Sequence, residues 1–233
     1  MTNSDITIYP AAALFNGRET YFNQALVAGL EKKGYKTLFP QRDGFEFGNL
    51  NKVLSNKLPL NEVPSAVERI IYYLDMGVFV PNSHVVVANL DEPQDEGVLV
   101  ELAHAKNLHK YNIGFRTDVR SPYGNSKDTF RGMHFFPGLY LCDTFISHYM
   151  PCKNLTQAKK EMQGLVDKID SVIQKENFGS IKNHSESFLF SGIKDIHSED
   201  GLNELVDRYI NNKERLESYG PRIIQWIWKK LKW

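Results

Sequence analysis

"HVVVANLDEPQDEGVLVELAHA", residues 84–105, decides how the rest of the chain is read. It opens with an apolar, β-branched run of strand length, and "GVLVELAHA" at its end reads as helix. Asp91, Glu92, Asp95, Glu96 and Glu101 crowd the seam between the two. A strand that passes directly into a helix is half of a parallel βαβ unit. Open α/β sheets bind ligands at the carboxyl ends of such strands. The acids are therefore either ordinary helix-start residues or carriers of chemistry.

Working outward, the same alternation repeats. "ITIYPAAALF" opens with a short strand, and "RETYFNQALVAGLEKKGY" has apolar residues at helical spacing with Gly34 as a C-cap. "KTLFP" is a second short strand, and "QRDGFEFGNLNKVLSNKLPLN" reads as loop or irregular helix. "EVPSAVERIIYYLDMGVFVPN" is helical by periodicity, with Pro64 tolerated near its start. After the 84–105 unit come the strand "YNIGF", the polar loop 116–138, a fifth strand "LYLCDTF" and an amphipathic helix over 154–177. Strands alternating with helices predict a five-stranded parallel sheet covered on both faces, and the simplest topology is flavodoxin-like. Residues 1–175 are read as this α/β domain and 176–233 as a C-terminal helical extension. The last stretch, "PRIIQWIWKKLKW", is read as a helix docking its Ile and Trp face on the body or on a second subunit.

Composition excludes several classes. The 233 residues carry 28 Lys plus Arg against 28 Asp plus Glu, so no global field argues for nucleic acid or a membrane as partner. Cys142 and Cys152 are the only cysteines, which excludes a disulfide framework and fits a reducing compartment. No secretory signal is visible, and no apolar run approaches the ~20 residues of a membrane span, so a cytoplasmic protein is expected. His84, His104 and His109 lack metal-ligand spacing, so no metal site is expected. Gly44 and Gly48 belong to no phosphate-cradling pattern, and Ser121 and Ser126 lack a nucleophile-elbow context. Cys142 reads as a small strand residue.

The carboxylates remain. In a parallel sheet, Tyr9 at the end of the first strand, Asp75 near the end of a helix, and the Asp95–Glu101 seam converge on one edge. Asp95 and Glu96 have a ready explanation in capping and macrodipole complementarity. Glu101 is harder to dismiss, because it stands between Val100 and Leu102 on an otherwise apolar helix. A buried, unpaired carboxylate is costly. A nucleophilic carboxylate ~5 Å from a proton-donating one is the arrangement of retaining glycosidic chemistry.

Together the segments "IYPAAALFN" (8–16), "GYKTLFPQRDG" (34–44), Asp75, "DEGVLVELAHA" (95–105), "FRTDVR" (115–120) and "LYLCD" (139–143) resemble the nucleoside 2-deoxyribosyltransferase family. The resemblance covers about residues 6–170 and leaves the extension outside it. It implies a flavodoxin-like domain that assembles into homo-oligomers with sites completed across an interface. It implies Glu101 as nucleophile, Asp75 and Asp95 as the acids that hold and protonate the base, and Tyr9 as the residue orienting Glu101. Phe15, Gln41, Arg42 and Asp43 would line the base pocket. The implied partners are a 2′-deoxynucleoside and a free nucleobase, with no metal or organic cofactor.

One departure is clear: where the family often offers an Asn to the sugar 5′-hydroxyl, "FPGLYLCD" has Gly138. Asn125, His134 or Asp143 could substitute. Two other readings stand beside base exchange. One is hydrolysis of deoxynucleosides or their 5′-monophosphates, with Arg18 meeting the phosphate. The other is a non-catalytic nucleoside-binding module.

Overall fold

A computed structural model describes residues 1–45, 47–120, 127–181 and 187–217. Its five strands are β1 (Thr7–Ala11), β2 (Lys36–Thr37), β3 (Val85–Asn89), β4 (Tyr111–Arg116) and β5 (Thr144–Ser147). All pair in parallel, in the order β2-β1-β3-β4-β5. This is the flavodoxin order, with its topological switch between β1 and β3.

The two faces follow from the two-residue side-chain period of the strands. Ile8, Val85, Val87, Ile113 and Phe115 form one apolar cluster with Leu26 and Leu30 of α1 (Gly17–Lys32) and with Leu165, Val166 and Ile169 of α6 (Leu155–Ile173). Gly29 lets α1 and α6 approach, since a Cβ there would stand 2.6 Å from Val166 Cγ2. The alternate residues Tyr9, Val86 and Ala88 lie on the opposite face, and α5 (Glu96–Asn107) packs on β1, β3 and β4. Burial of these side chains, at ~25 cal/mol per Å² of apolar surface, is the main force holding the layers.

The chain divides into two compact units: Met1–Gly44 with Leu74–Ser185, and Phe45–Tyr73 with Glu186–Trp233. The second unit takes in residues 45–73, which the sequence reading assigned to the α/β domain. Those residues hold α3 (Phe47–Ser55) and most of α4 (Val63–Leu74). They are joined by the C-terminal helices α7 (Glu199–Asn211) and α8 (Lys213–Glu217), and α3 packs on α7. Leu202, Leu205, Val206 and Tyr209 give α7 one buried stripe at helical spacing. Lys57 pairs with Asp207 at 2.8 Å, and Lys213 pairs with Glu62.

Residues 40–43 form a single helical turn, α2 (Pro40–Asp43), with Pro40 at its start, at the head of the stretch read as loop or irregular helix. One local expectation changes. The fifth strand begins at Thr144, not Leu139, because Pro137–Leu141 forms a π-helical turn. Asn112 anchors that turn: its side chain donates to Leu141 O at 2.8 Å, and its backbone N–H donates to the Asp143 carboxylate at 2.8 Å. Among the described residues, no helix is long and apolar enough to cross a membrane, and no group of three or more His, Cys, Asp or Glu is arranged to hold a metal. Asn125, Ser121, Ser126 and the segment 221–233 lie outside the described residues.

Candidate active site

The acids of the opening stretch separate into two groups. Asp91 accepts the backbone N–H of Thr117 at 2.6 Å and of Asp118 at 3.0 Å, and the Thr117 hydroxyl at 2.6 Å. Glu92 and Asp118 pair with the wholly buried Arg116, at 3.4 and 2.8 Å. These acids brace the loops that follow β3 and β4. Asp95 is the N-cap of α5 and accepts the Val98 N–H at 3.0 Å, so the capping explanation holds for it.

Glu101 is different. It lies one turn into α5, and its Oε1 accepts the Tyr9 hydroxyl at 2.8 Å. Tyr9, on β1, is wholly buried and packs against Phe79 with ring centroids 6.3 Å apart. Phe79 ends a π-helical turn, Asp75–Phe79, that continues from α4, and Asp75 begins it. There the Val80 N–H reaches back five residues to Asp75 O at 2.9 Å. Such widened turns recur at functional sites because they re-aim a side chain out of the regular helix. The His104 ring, on the Glu101 face of α5 one turn further on, donates through Nε2 to Met76 O at 2.9 Å. That bond ties α5 to the turn bearing Asp75.

The electrostatics follow from burial. Desolvation raises the Glu101 carboxyl to about 8, and the nearby charge of Asp75 adds to the rise. The Tyr9 hydroxyl works the other way, and the Asp95 charge is a smaller push upward. Burial likewise raises Asp75 to about 7. Tyr9 is pushed well above its ordinary value by burial and by the two acids, so it stays protonated and donates. Near neutral pH Glu101, the higher of the two, is mostly protonated and Asp75 is partly ionised, both beside a fixed donor. Carboxyls raised into this range can give up or take a proton at neutral pH.

Tyr9, Asp75, Asp95 and Glu101 are thus brought together. Gln41, Arg42 and Asp43 are engaged elsewhere. Gln41 donates to Thr20 O at 3.1 Å, and Arg42 pairs with Glu31 and Asp43 at 2.7 Å each. Asp43 accepts the Phe39 N–H at 2.7 Å. Phe15 is 78% exposed. At Gly138 a Cβ would stand 2.4 Å from two carbons of the Phe130 ring, so this ring occupies the space a side chain would need.

A pocket of about 190 Å³ opens at the carboxyl edge. Asp95, Asn89, Arg18 and Arg120 are among its lining residues, whereas Tyr9, Asp75 and Glu101 are not. Sequence reasoning missed His104 and Arg120. Only the i, i+3 spacing from Glu101 pointed to the first, and the second lay inside the quoted "FRTDVR".

A flavodoxin-order parallel sheet thus carries two raised carboxyls and a buried tyrosine beside one of them. The family model for nucleoside 2-deoxyribosyltransferases matches residues 8–183. The chain belongs to the nucleoside 2-deoxyribosyltransferase family, and so to a class of transferases acting on nucleosides. No curated protein matches it. Among solved structures, a match is the crystal structure of the RpiR transcription factor from Sphaerobacter thermophilus (sugar isomerase domain). The identity is 11% over 74% of each chain, with a TM-score of 0.37. A likeness this distant bears on neither fold nor function.

Proposed function

We propose that the protein exchanges the base of a 2′-deoxynucleoside through a deoxyribosyl ester on Glu101. In the reacting form the proton has passed from Glu101 to Asp75; the Glu101 carboxylate then attacks C1′, the C1′–N bond breaks, and its electron pair leaves with the base. Asp75 or Asp95 supplies the proton that the departing nitrogen takes up. A second base then attacks C1′ from the vacated side, gives up its proton to that carboxylate and releases Glu101. Two inversions give net retention. The Tyr9 hydroxyl orients Glu101 and selects which oxygen attacks. Exclusion of water keeps the ester from hydrolysis. The exposed ring of Phe15 is free to lie over the base, whereas Gln41 and Arg42 are held by bonds to α1 and β2, and Asp43 by bonds to Phe39 and Arg42.

The observation that carries this reading is the 2.8 Å Tyr9–Glu101 bond beside Asp75. Thymidine or deoxyinosine incubated with free adenine should yield deoxyadenosine, separated by chromatography, and Glu101→Ala should cut that yield at least ~10³-fold. An unchanged rate in the variant would sink the assignment of the nucleophile.

Hydrolysis is the second reading, and the placement of Arg18 and Arg120 in the pocket of Asp95 favours a 5′-monophosphate as its substrate. Free base with deoxyribose 5-phosphate, and no exchanged nucleoside, would establish it instead.

A further inference from the structure

The widened turn that carries Asp75 breaks the regular helix ladder. In an α-helix the Val80 N–H would close on Met76 O, four residues back. Here it closes one residue earlier, on Asp75 O at 2.9 Å. A five-residue bond would then bring residue 81 to Met76 O, but residue 81 is proline and has no N–H to give. Neither backbone donor therefore serves the Met76 carbonyl, in a half-buried turn that packs on α5. A carbonyl left unmet in such a place is destabilising.

The donor comes from α5. His104 Nε2 reaches Met76 O at 2.9 Å, and because a carbonyl only accepts, the ring hydrogen sits on that nitrogen. His104 stands three residues after Glu101 on the same helix face. Asp75 needs such a support. Among the described residues, no hydrogen bond to its carboxyl holds it in place. Its direction is set by the backbone of the turn. If the turn closed to regular α-helix, the Val80 N–H would move to Met76 O. The residues before it would then rotate by about 100° relative to those after, carrying Asp75 away from Glu101.

We propose that His104 is a positioning residue for the acid pair: by donating to Met76 O in place of the missing Pro81 N–H, it keeps the turn widened and Asp75 beside Glu101. Its effect on rate rests on Glu101 and Asp75 carrying the proposed transfer, whereas its effect on the titration of Glu101 does not.

The titration of the Glu101 carboxyl, followed by ¹³C NMR on the full-length protein, tests this without substrate. Tyr9 from β1, Asp75 from the turn and Asp95 at the start of α5 are the titratable groups that act on Glu101. In His104→Leu the Asp75 charge moves away, so the Glu101 midpoint should fall below the parent's value of about 8. His104→Gln sets an amide N–H the same number of bonds from the backbone and should restore the parent midpoint. Base exchange is the second readout. His104→Leu should lower kcat about 10²-fold, the cost of misplacing a reacting group by about 1 Å, with KM little changed. His104→Gln should recover most of that loss. If His104→Leu does not fold, His104→Asn takes its place, since its amide is one bond too short to reach Met76 O. An unmoved Glu101 midpoint in folded His104→Leu or His104→Asn overturns the proposal. So does His104→Gln as impaired as either, which would assign the effect to the shape of the ring. A parent without exchange activity would remove the proposed function instead, and the titration would still decide on His104.

Discussion

The two ends of the parallel sheet respond to burial in opposite senses. At the carboxyl end, low dielectric raises two acids, Glu101 and Asp75. At the amino end, it lowers two bases, His84 and Lys110. In each case desolvation disfavours the charged form. The difference lies in what each group already holds. Glu101 has its Tyr9 donor in place, whereas the His84 Nε2–H has no acceptor. At the amino end the carboxylates of Asp143 and Glu176 are instead taken up by Lys106, the Asn112 N–H and the Tyr111 hydroxyl.

The carboxyl end can be broken most severely through Asp75. Asp75→Asn removes the proposed proton source and should lower base exchange about 10²–10⁴-fold. It also removes the neighbouring charge that raises Glu101, so the acid limb of the remaining activity should move to lower pH. Tyr9→Phe acts in the opposite sense. Loss of one hydrogen bond to a charged group is worth ~1.5–3 kcal/mol, or roughly 10–150-fold in rate. Without that bond Glu101 rises further, and the acid limb should move to higher pH. Paired pH–rate profiles of the two variants measure both directions. Limbs that moved together would show that the two residues do not act on Glu101 as described.

Most of the fold was legible because its signals are local. The apolar run 84–90 and the Asp95 cap marked a strand and the helix after it, and β3 and α5 stand there. Parallel topology pointed to the edge where Tyr9 ends β1, and the family resemblance, not topology, singled out Asp75 and Glu101. What escaped the sequence was set by distant partners. "LYLCDTF" alternates like a strand, yet Asn112, some thirty residues earlier, holds Leu141 and Asp143 in a π-helical turn and its exit. The widened turn at Asp75 is a single displaced hydrogen bond, which helical periodicity cannot register. The grouping of 45–73 with the C-terminal helices rests on pairs such as Lys57–Asp207 that no local window contains.

The smallest effect is the sharpest test of the electrostatics, because it is read on stability without substrate. Glu101 takes up a proton on folding: its carboxyl sits at about 8 in the native state, against an ordinary value of 4.5. A raised carboxyl favours the folded state where it is protonated, and that contribution is lost as pH rises through the window from about 4.5 to about 8. Glu101→Gln keeps an acceptor for the Tyr9 hydroxyl and has no charge to desolvate. At pH 8.5 the variant should therefore be more stable than the parent by about 1–2 kcal/mol, or roughly 2–8 °C in Tm for a chain of this size. At pH 4.5 the two should melt together. Thermal unfolding of both proteins across that range checks the difference. A gap that stayed constant with pH would mean that Glu101 is hydrated in the free protein, and that its reactivity has another origin than burial beside Asp75.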